Sequence, residues 1–502
     1  MNLPLLLEMA ADCLGQRPAL GRIAAPIGYS ELLSHARNAA AQLSVVPAER
    51  IAYIGLNSPS LAVALFASGM MGRAFAPLNY RLPDADLARI VARTAPSIAI
   101  VDDDMAPRIP PTPGVTVITR SRFDVLARIP VAEMPDVMIG EDDIAIVLFT
   151  SGTTGEPKAA ALKHRNLVSY VISTVELGSA EADEAALVSV PPYHIAGVSA
   201  LLTGIYAGRR IVHLSAFSEK DWVETARSEN ITHAMVVPTM LQRILDEMDR
   251  SGIKLPALRH ISYGGGRMPL AVIERAMQQL PDVDFVNAYG LTETSSTIAV
   301  LAPEDHRRAF HSDDPDVRKR LGSVGRPLPH IELEVRDSEG KSVAAGVTGE
   351  IWVRGDQVSG EYIGRNALGG DGWFGTKDGG WRDAEGYLFI DGRLDDVIVR
   401  GGENISPGEI EDVLRGHPAV ADVAVVGVPD QEWGERIVAA VVLRDDASED
   451  TLRQWTRRRL RSTKTPDSIF FRASLPYNET GKVLRRVLQA EFGKSAPVAH
   501  TT

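Results

Sequence analysis

The sequence predicts an α/β protein with a large N-terminal domain of stacked, parallel-rich sheets flanked by helices and a small α+β C-terminal domain. Short apolar segments rich in β-branched residues alternate with helical patterns over most of the chain, as in βαβ architectures. The composition, with 45% hydrophobic and 24% charged residues, is typical of globular proteins. At 502 residues, the chain is long enough for more than one domain.

Two successive segments illustrate the βαβ pattern. Residues 233–238 predict a buried strand, and Leu241, Ile244, Leu245 and Met248 then follow with helical spacing. Residues 260–263 predict the next strand, which is followed by a glycine turn and by a helix with Pro269 in its first turn. Strands that alternate with helices in this way favour a parallel sheet.

The pattern changes after the Gly-, Asp- and Trp-rich stretch 367–391. Residues 387–390 and 396–400 predict the two strands of a hairpin. Ser406 and Glu409 have the spacing of a capping box, with Pro407 at the first helical position. Two further strands at 423–428 and 436–442 and a helix at 449–461 complete a compact α+β module. We therefore place the N-terminal domain at 1–394 and the C-terminal domain at 395–502.

Charge and cysteine content exclude several classes of protein. The net charge of −12 disfavours nucleic acids and anionic membranes, which are polyanions. The single cysteine, Cys13, excludes an intrachain disulfide framework and a cysteine-based zinc site. The N-terminus lacks the basic region of a signal peptide, and the longest uncharged stretch, 185–208, is interrupted by prolines and glycines. We expect a cytoplasmic protein with no nucleic-acid partner and no membrane insertion.

The strongest local motif is a phosphate-binding loop that follows the buried strand 144–149. Its glycines allow backbone N–H groups to approach an anion, its hydroxyls donate hydrogen bonds, and its lysine adds positive charge. The loop positions are Thr150, Ser151, Gly152, Thr153, Thr154, Gly155 and Lys158. Their spacing differs from that of a Walker A loop.

The ordered motifs of the chain resemble those of the adenylate-forming (ANL) superfamily, which includes acyl- and aryl-CoA synthetases, luciferases and peptide-synthetase adenylation domains. After the phosphate loop, the motifs are PPYH at 191–194, NAYGLTET at 287–294, TKD at 376–378, GRLDD at 392–396, RGGEN at 400–404 and NETGK at 478–482. The resemblance implies a reaction in two steps. A carboxylate attacks the α-phosphate of ATP to give acyl-AMP and pyrophosphate, and a thiol, usually that of coenzyme A, then displaces AMP.

The resemblance also implies roles for individual residues. The phosphate loop would grip the β- and γ-phosphates, and Glu293, assisted by Thr154, would hold Mg²⁺. Tyr289 would stack on adenine, Asp378 would accept hydrogen bonds from the ribose hydroxyls, and Arg393 would contact ribose or phosphate. The expected catalytic residues are Lys482, Glu293, Lys158 and Arg393, and the other nucleotide-binding positions are Gly264, Gly265, Gly266, Ala288, Gly290 and Thr292.

For the second step, the resemblance implies a mobile C-terminal domain that rotates about Asp395. Gly401 and Gly402 would then line the tunnel for the pantetheine of coenzyme A, although a plain hairpin turn also explains this pair. Two positions depart from the family pattern. Lys377 stands where a small residue usually precedes Asp378, and Asp395 replaces the commoner hinge lysine.

The acid is expected to be hydrophobic or aromatic. Amino-acid-activating relatives carry an aspartate where this chain has His194, so an α-amino acid is disfavoured. The predicted acyl pocket consists of Tyr193, His194, Ile195, Val237, Pro238, Tyr263 and Gly266. Free coenzyme A is the expected acceptor and a carrier-protein thiol is the alternative, while a homodimer is left open. The competing classes are a phosphate-loop NTPase or kinase, which would release ADP, and a non-catalytic nucleotide-binding relative.

Overall fold

The computed structural model describes residues 1–133, 136–150, 157–430, 433–477 and 483–493. These residues form four sheets, two of them large and parallel-rich, with helices packed on their faces. The α/β class predicted from the alternating pattern is confirmed. No helix in these ranges is long and apolar enough to cross a membrane.

The helices are short to medium in length, and several begin with a proline in the first turn, where its missing N–H would have no partner. Their bounds are α1 Leu3–Leu14, α2 Tyr29–Ser44, α3 Pro59–Met70, α4 Asp84–Ala92, α5 Arg120–Arg128, α6 His164–Thr174, α7 Ile195–Ala207, α8 Glu219–Ser228, α9 Pro238–Ser251, α10 Leu270–Gln279, α11 Pro303–Phe310, α12 Pro315–Arg318, α13 Pro407–Arg415, α14 Glu449–Arg457 and α15 Arg485–Phe492.

The strands fall into N-terminal and C-terminal sets. Up to Arg393 they are β1 Pro18–Leu20, β2 Ile27–Gly28, β3 Arg50–Ile54, β4 Ala74–Pro77, β5 Ser97–Val101, β6 Val115–Thr119, β7 Ile144–Thr150, β8 Lys158–Lys163, β9 Ala185–Val188, β10 Arg210–His213, β11 His233–Val236, β12 His260–Gly264, β13 Asp284–Leu291, β14 Ser296–Leu301, β15 Arg326–Pro327, β16 Glu332–Arg336, β17 Gly349–Arg354, β18 Glu361–Tyr362, β19 Arg365–Asn366, β20 Phe374–Arg382 and β21 Leu388–Arg393. The rest are β22 Ile398–Arg400, β23 Glu403–Ile405, β24 Val420–Asp430, β25 Gly434–Leu443 and β26 Ser468–Arg472.

One large sheet has the order β15-β14-β13-β12-β11-β9-β10-β1-β2, and strands β9 to β13 within it are parallel. The α9 helix has the predicted periodicity but begins at Pro238, which the sequence places in the preceding strand, and it buries Leu241, Ile244 and Leu245 against one face of this sheet. The α7 helix packs with α1, α2 and α3 in a second core cluster. Together these layers place the carboxyl ends of β12 and β13 beside the start of α9.

The second large sheet has the order β19-β18-β8-β7-β4-β3-β5-β6. Its β7 and β8 strands are antiparallel partners and flank the phosphate-loop motif, with Thr150 opposite Lys158. A smaller antiparallel sheet, β16-β17-β20-β21, brings Asp378 opposite Arg393. These pairings bring motif residues from distant parts of the chain to the strand ends.

Strands β22 to β26 form a separate sheet with core clusters of its own. The long hairpin β24–β25 and helix α14 lie where the sequence predicts them, although α14 ends at Arg457. The hairpin predicted between 387–390 and 396–400 is wrong, because β21 pairs with β20 and β22 pairs with β23 and β25. A short 3-10 turn, Leu394–Asp396, carries the chain from one sheet to the other.

The N-terminus of α13 also differs in detail from the prediction. The helix begins at Pro407 as expected, but Ser406 makes no side-chain cap bond. Its hydroxyl instead donates to the backbone oxygen of Asp391 at 2.7 Å, and Lys464 donates to Glu409 at 2.6 Å. The capping box is therefore replaced by two tertiary contacts.

Candidate active site

The nucleotide end of the site centres on the carboxylate of Asp378. Tyr289, near the end of β13, donates from Oη to Asp378 Oδ2 at 2.7 Å, and Arg393 Nη1 donates to Oδ1 at 3.1 Å. Asp378 is 7% exposed, and its own N–H donates to Thr376 Oγ1. Burial and the Asp378 carboxylate together raise the pKa of Tyr289. Three residues predicted from separate motifs thus meet in one hydrogen-bonded group.

A second carboxylate, that of Glu293, lies in the 3-10 turn Thr292–Thr294 directly after β13. Tyr362 of β18 donates to Glu293 Oε1 at 2.6 Å, and the N–H groups of Ser359 and Gly360 donate to the Glu293 backbone oxygen. Burial, and after it the carboxylate of Glu293, raises the pKa of Tyr362. The Nζ of Lys158 lies 5.7 Å from the centre of the Tyr362 ring. Tyr362 stands in no recognised motif and is not among the predicted site residues.

Glycines allow the backbone of neighbouring strands to approach closely beside these carboxylates. A Cβ on Gly264 would lie 2.3 Å from the backbone oxygen of Ala288, its register partner in β13. A Cβ on Gly290 would lie 1.8 Å from the oxygen of Ser296. Any larger residue would force the strand ends apart. The Gly265 and Gly266 positions are exposed and follow directly, so backbone at the end of β12 is accessible to a ligand.

Backbone strain is concentrated around the same two carboxylates. Four non-glycine residues in the described ranges have positive φ, and three of them are Ser295, Ser296 and Lys377. The first two follow Glu293 within three positions, and Lys377 (φ 64°) directly precedes Asp378. Left-handed conformations at non-glycine residues cost about 1–3 kcal/mol each and cluster at functional sites. Lys377, which stands where a small residue is usual, therefore also has a left-handed backbone conformation.

The predicted acyl-pocket residues lie in two groups next to these elements. The rings of Tyr193 and His194 have their centres 4.6 Å apart with their planes tilted by 56°, and Ile195 begins α7. On the other side, the closest neighbour of a Cβ on Gly265 is Val237, and that of a Cβ on Gly266 is Pro238. The start of α7 and the start of α9 therefore both adjoin the nucleotide end.

Tyr263 is the exception, and its assignment to the acyl pocket is wrong. It is fully buried in the cluster that α9 and α10 form on the opposite face of the sheet. Its hydroxyl pairs with His306 Nε2 at 2.8 Å. Alternation along β12 explains the correction, since Ser262 and Gly264 face the side opposite to Tyr263.

Several predicted positions fall outside the described residues. These are Ser151, Gly152, Thr153, Thr154 and Gly155 of the phosphate loop, and Lys482. Thr150 and Lys158, at the two ends of the loop, are the last residue of β7 and the first of β8.

The C-terminal sheet meets the larger part of the chain near the glycine turn. Arg267, next to Gly266, forms an ion pair with Asp412 of α13, and a Cβ on Gly408 would also touch Arg267. Asp395 lies in the 3-10 turn that connects the two parts. Gly401 and Gly402 both have positive φ, and a Cβ on Gly401 would lie 3.1 Å from the ring of Trp433.

The donor set suits magnesium better than a dedicated transition-metal site. Among the described residues, no group of three or more His, Cys, Asp and Glu side chains could hold a metal ion. Mg²⁺ usually takes only one or two carboxylates and completes its shell with water and phosphate oxygens. A single oriented carboxylate such as that of Glu293 fits this pattern.

The site thus combines a buried aspartate bonded to an arginine and a tyrosine with a separate glutamate bonded to a tyrosine and a glycine-lined strand end. Sequence profiles for AMP-binding enzymes and for their C-terminal domain match residues 7–363 and 409–482, respectively. The chain belongs to the AMP-binding enzyme family, the adenylate-forming enzymes. It is an ATP-dependent, AMP-forming ligase that activates a carboxylic acid.

Two curated relatives and one solved structure are informative. The chain is 34% identical over 484 residues to a feruloyl-CoA synthase from Amycolatopsis sp, covering 93% of this chain and 94% of the relative. It is 32% identical to the fatty acid–[acyl-carrier-protein] ligase ScoC of Streptomyces coeruleorubidus, with 93% and 91% covered. The o-succinylbenzoate CoA synthetase of Bacillus subtilis in complex with ATP and magnesium matches with a TM-score of 0.81 at 28% identity, covering 96% of this chain and 98% of that one.

Proposed function

We propose that the enzyme converts a hydrophobic or aromatic acid, rather than an α-amino acid, into its coenzyme A thioester. The observation that carries this proposal is the convergence of Tyr289 and Arg393 on the buried carboxylate of Asp378, beside the pair Glu293–Tyr362. Such an arrangement positions a nucleotide and a cation, and it supplies no nucleophile of its own. The chemistry then depends on orientation and charge stabilisation.

In the first step, a carboxylate oxygen of the acid bonds to the α-phosphorus of ATP, and the bond from that phosphorus to pyrophosphate breaks. Asp378 accepts hydrogen bonds from the ribose hydroxyls, and Arg393 contacts ribose or phosphate. Tyr289 lies against the adenine. Glu293 holds Mg²⁺, which supplies charge neutralisation at the phosphate oxygens when bound.

Two elements of this step are proposed from sequence alone. The phosphate loop 150–158 grips the outgoing pyrophosphate, with Thr154 assisting at the cation. Lys482 stabilises the charge that develops between the attacking carboxylate and the α-phosphate. The positions of Thr150 and Lys158 at facing strand ends support a loop presented at this edge of the sheet.

In the second step, the thiol sulfur bonds to the acyl carbon, and the bond from that carbon to the AMP oxygen breaks. We place the domain boundary at 394/395, with Asp395 as the hinge and Gly401 and Gly402 along the pantetheine path. The separate C-terminal sheet and the left-handed backbone of both glycines support this proposal. Because glycine has no side chain, these two residues leave the proposed path open.

The proposal for the acid rests on the surroundings of the start of α7. Tyr193, His194 and Ile195 supply aromatic and apolar surface, and no aspartate is present there to pair an ammonium group. The feruloyl-CoA synthase and the fatty acid ligase are named for an aromatic and an aliphatic acid, which supports this class. ATP and coenzyme A are cytoplasmic metabolites, so we place the enzyme in the cytoplasm.

The test is an acid panel with ATP and Mg²⁺, read by pyrophosphate release. Benzoate, cinnamate, phenylacetate, hexanoate and decanoate are compared with phenylalanine as the amino-acid control. We expect pyrophosphate and AMP with at least one non-amino acid, and thioester once coenzyme A is added. Release of ADP, or a preference for phenylalanine, would contradict the proposal. Thioester formation only with a holo-carrier protein would assign the ligase to the alternative acceptor.

A further inference from the structure

The side of α7 that faces the large sheet carries only small residues. Ser199 Oγ lies 3.1 Å from Ser296 Oγ of β14, and Ile211 of β10 touches the position that a Cβ on Gly204 would take. The helix therefore crosses this face of the sheet. Its small sheet-facing residues are Ala196, Ser199, Ala200, Thr203 and Gly204, and of these Ala196, Ala200 and Thr203 are only half-buried.

A row of residues in the sheet lies on this same face. Residues in register on adjacent parallel strands point to the same side. The row runs across five strands as His213, Val188, Met235, Ser262 and Val286. Val188 is packed in the cluster shared with α7, whereas Met235, Ser262 and Val286 are half-buried. Half-buried side chains of α7 and of the sheet thus face each other, and the next rung of this face, Gly264 and Ala288, belongs to the nucleotide end.

His213 stands at the far end of this row from the nucleotide. Ile211, two residues earlier in the same strand, touches α7, so the imidazole of His213 points to the same side. Both ring nitrogens are inaccessible to solvent and have no hydrogen-bond partner among the described residues. Buried polar atoms without partners are unfavourable and rare in native proteins. The ring is therefore a hydrogen-bonding group that lacks its partner.

The ring is also neutral. Burial alone lowers the pKa of His213 to about 4. His213 also borders an open surface cavity of about 900 Å³ whose wall carries Arg22, Asp221, Glu224 and Arg227. A neutral imidazole offers one N–H donor and one acceptor nitrogen.

A second unmet acceptor adjoins this end of the row. Asn57 donates from Nδ2 to the backbone oxygens of Val190 at 3.0 Å and Leu214 at 3.2 Å. Asn57 is 3% exposed, and its Oδ1 has no partner among the described residues. Asn57 is therefore bonded to the residue that directly follows His213 in β10 and its loop.

We propose that His213 closes the far end of the acid pocket and pairs with a hydroxyl group that the substrate carries at the end remote from its carboxylate. This inference rests on the proposed function and names its substrate class, the hydroxylated aromatic or long-chain acids. A hydroxyl both donates and accepts, which matches a neutral imidazole. A second carboxylate would need a cation, which a neutral imidazole does not supply.

The test uses matched pairs of acids that differ only in the hydroxyl: cinnamate against 4-hydroxycinnamate, and decanoate against 10-hydroxydecanoate. Pyrophosphate release gives kcat/KM for each acid. We expect the wild-type enzyme to favour the hydroxylated member of at least one pair by about 10-fold or more, since a site with a buried polar group rejects the analogue that leaves it unpaired. His213→Leu and His213→Phe should bring the ratio close to one, because neither side chain can pair with a hydroxyl.

His213→Gln is the matched control, because an amide retains a donor and an acceptor and should keep part of the preference. A wild-type enzyme without a hydroxyl preference in either pair overturns the inference, since solvent would then satisfy the imidazole. A preference that survives in both His213→Leu and His213→Phe overturns it as well. Failure to release pyrophosphate with any acid contradicts the proposed function itself, and the inference falls with it.

Discussion

The hydroxyl of Tyr362 donates a 2.6 Å hydrogen bond to Oε1 of Glu293, although the two residues are 69 positions apart in the chain. The bond joins the short strand β18 to the turn Thr292–Thr294, which is the TET segment at the end of the NAYGLTET motif. It fixes one carboxylate oxygen and directs the other away from the phenol. The carboxylate that we propose as the Mg²⁺ ligand is thus oriented by a neighbour, as is common around metal sites.

Tyr362→Phe should weaken magnesium activation. Loss of the phenol hydroxyl frees the Glu293 carboxylate to rotate, so the Mg²⁺ concentration for half-maximal pyrophosphate release should rise about 10-fold or more. The KM for the acid should change little. Titration of activity with Mg²⁺ at saturating ATP measures the effect. Tyr387→Phe is the matched control because Tyr387 also donates to a carboxylate, that of Asp305, in a contact that includes no site residue. Equal magnesium dependence in both variants would contradict the role given to Tyr362.

Asp378→Asn should remove recognition of the ribose. The proposed bonds to the ribose hydroxyls need an acceptor-only carboxylate, and an amide can offer one acceptor at most. The variant should raise the KM for ATP by about 10-fold and abolish discrimination between ATP and its 2′- and 3′-deoxy analogues. Pyrophosphate release with the three nucleotides measures this. If the variant still discriminates against deoxy-ATP as the wild type does, the ribose is recognised elsewhere.

The motifs identify the site residues that they contain, and they miss Tyr362, which only strand pairing brings to the site. Asp378 and Arg393 were predicted from separate motifs, and the structure places them opposite each other on β20 and β21. Tyr362 carries no motif, because its position depends on β18 pairing with β8 through Ala160. That contact spans about two hundred residues of chain and leaves no local pattern.

The wrong predictions of the hairpin and of Tyr263 have a similar physical cause. The hairpin expected at 387–400 failed because the turn at Asp395 sends the chain into another sheet, which local β-propensity does not encode. Tyr263, which the sequence analysis includes among the apolar pocket candidates, directly precedes the glycine turn. The alternation of β12, readable from Ile261 and Tyr263 as its apolar face, places it in the opposite core.

Lys482→Ala should separate the two half-reactions. The lysine is proposed to stabilise charge only while acyl-AMP forms, so this step should fall by at least about 100-fold. Thioester formation from preformed acyl-AMP and coenzyme A should stay within a few-fold of wild type. Rapid-quench assays of each step make the comparison, with Lys341→Ala, an exposed lysine in a turn, as the control. Equal loss in both steps would show that Lys482 acts in both half-reactions or stabilises the fold.

Gly402→Leu should have the opposite effect. A leucine side chain at this position would fill the proposed pantetheine path, so pyrophosphate release should persist while thioester formation falls by about 100-fold. Gly340→Leu is the control for the backbone strain that a leucine introduces at a left-handed position. Both glycines have φ near +80° and no atom within 4 Å of a built Cβ. Blocked thioester formation in both variants would point to strain instead of occlusion, and normal turnover of Gly402→Leu would refute the path.

Stability should fall as the pH drops below neutrality. Burial lowers the pKa of His164 and of His306 to about 4, and both residues are 1% exposed. The unfolded chain binds protons near pH 6.5 and the folded chain only near pH 4, so the unfolded state holds more protons between these values. Stability is therefore unaffected above pH 6.5, declines through this window and levels off below pH 4, and each histidine costs about 2 kcal/mol at pH 5.

The variant His164→Asn isolates one of these contributions. His164 Nδ1 accepts the N–H of Leu3 at 3.1 Å, and an asparagine oxygen can accept the same bond without titrating. Urea unfolding at pH 7.5 and pH 5 should show that the variant loses about 2 kcal/mol less than wild type between the two values. His311→Asn, which removes an exposed imidazole, should lose as much as wild type. An unchanged difference in His164→Asn would mean that His164 is protonated in the folded protein at pH 5.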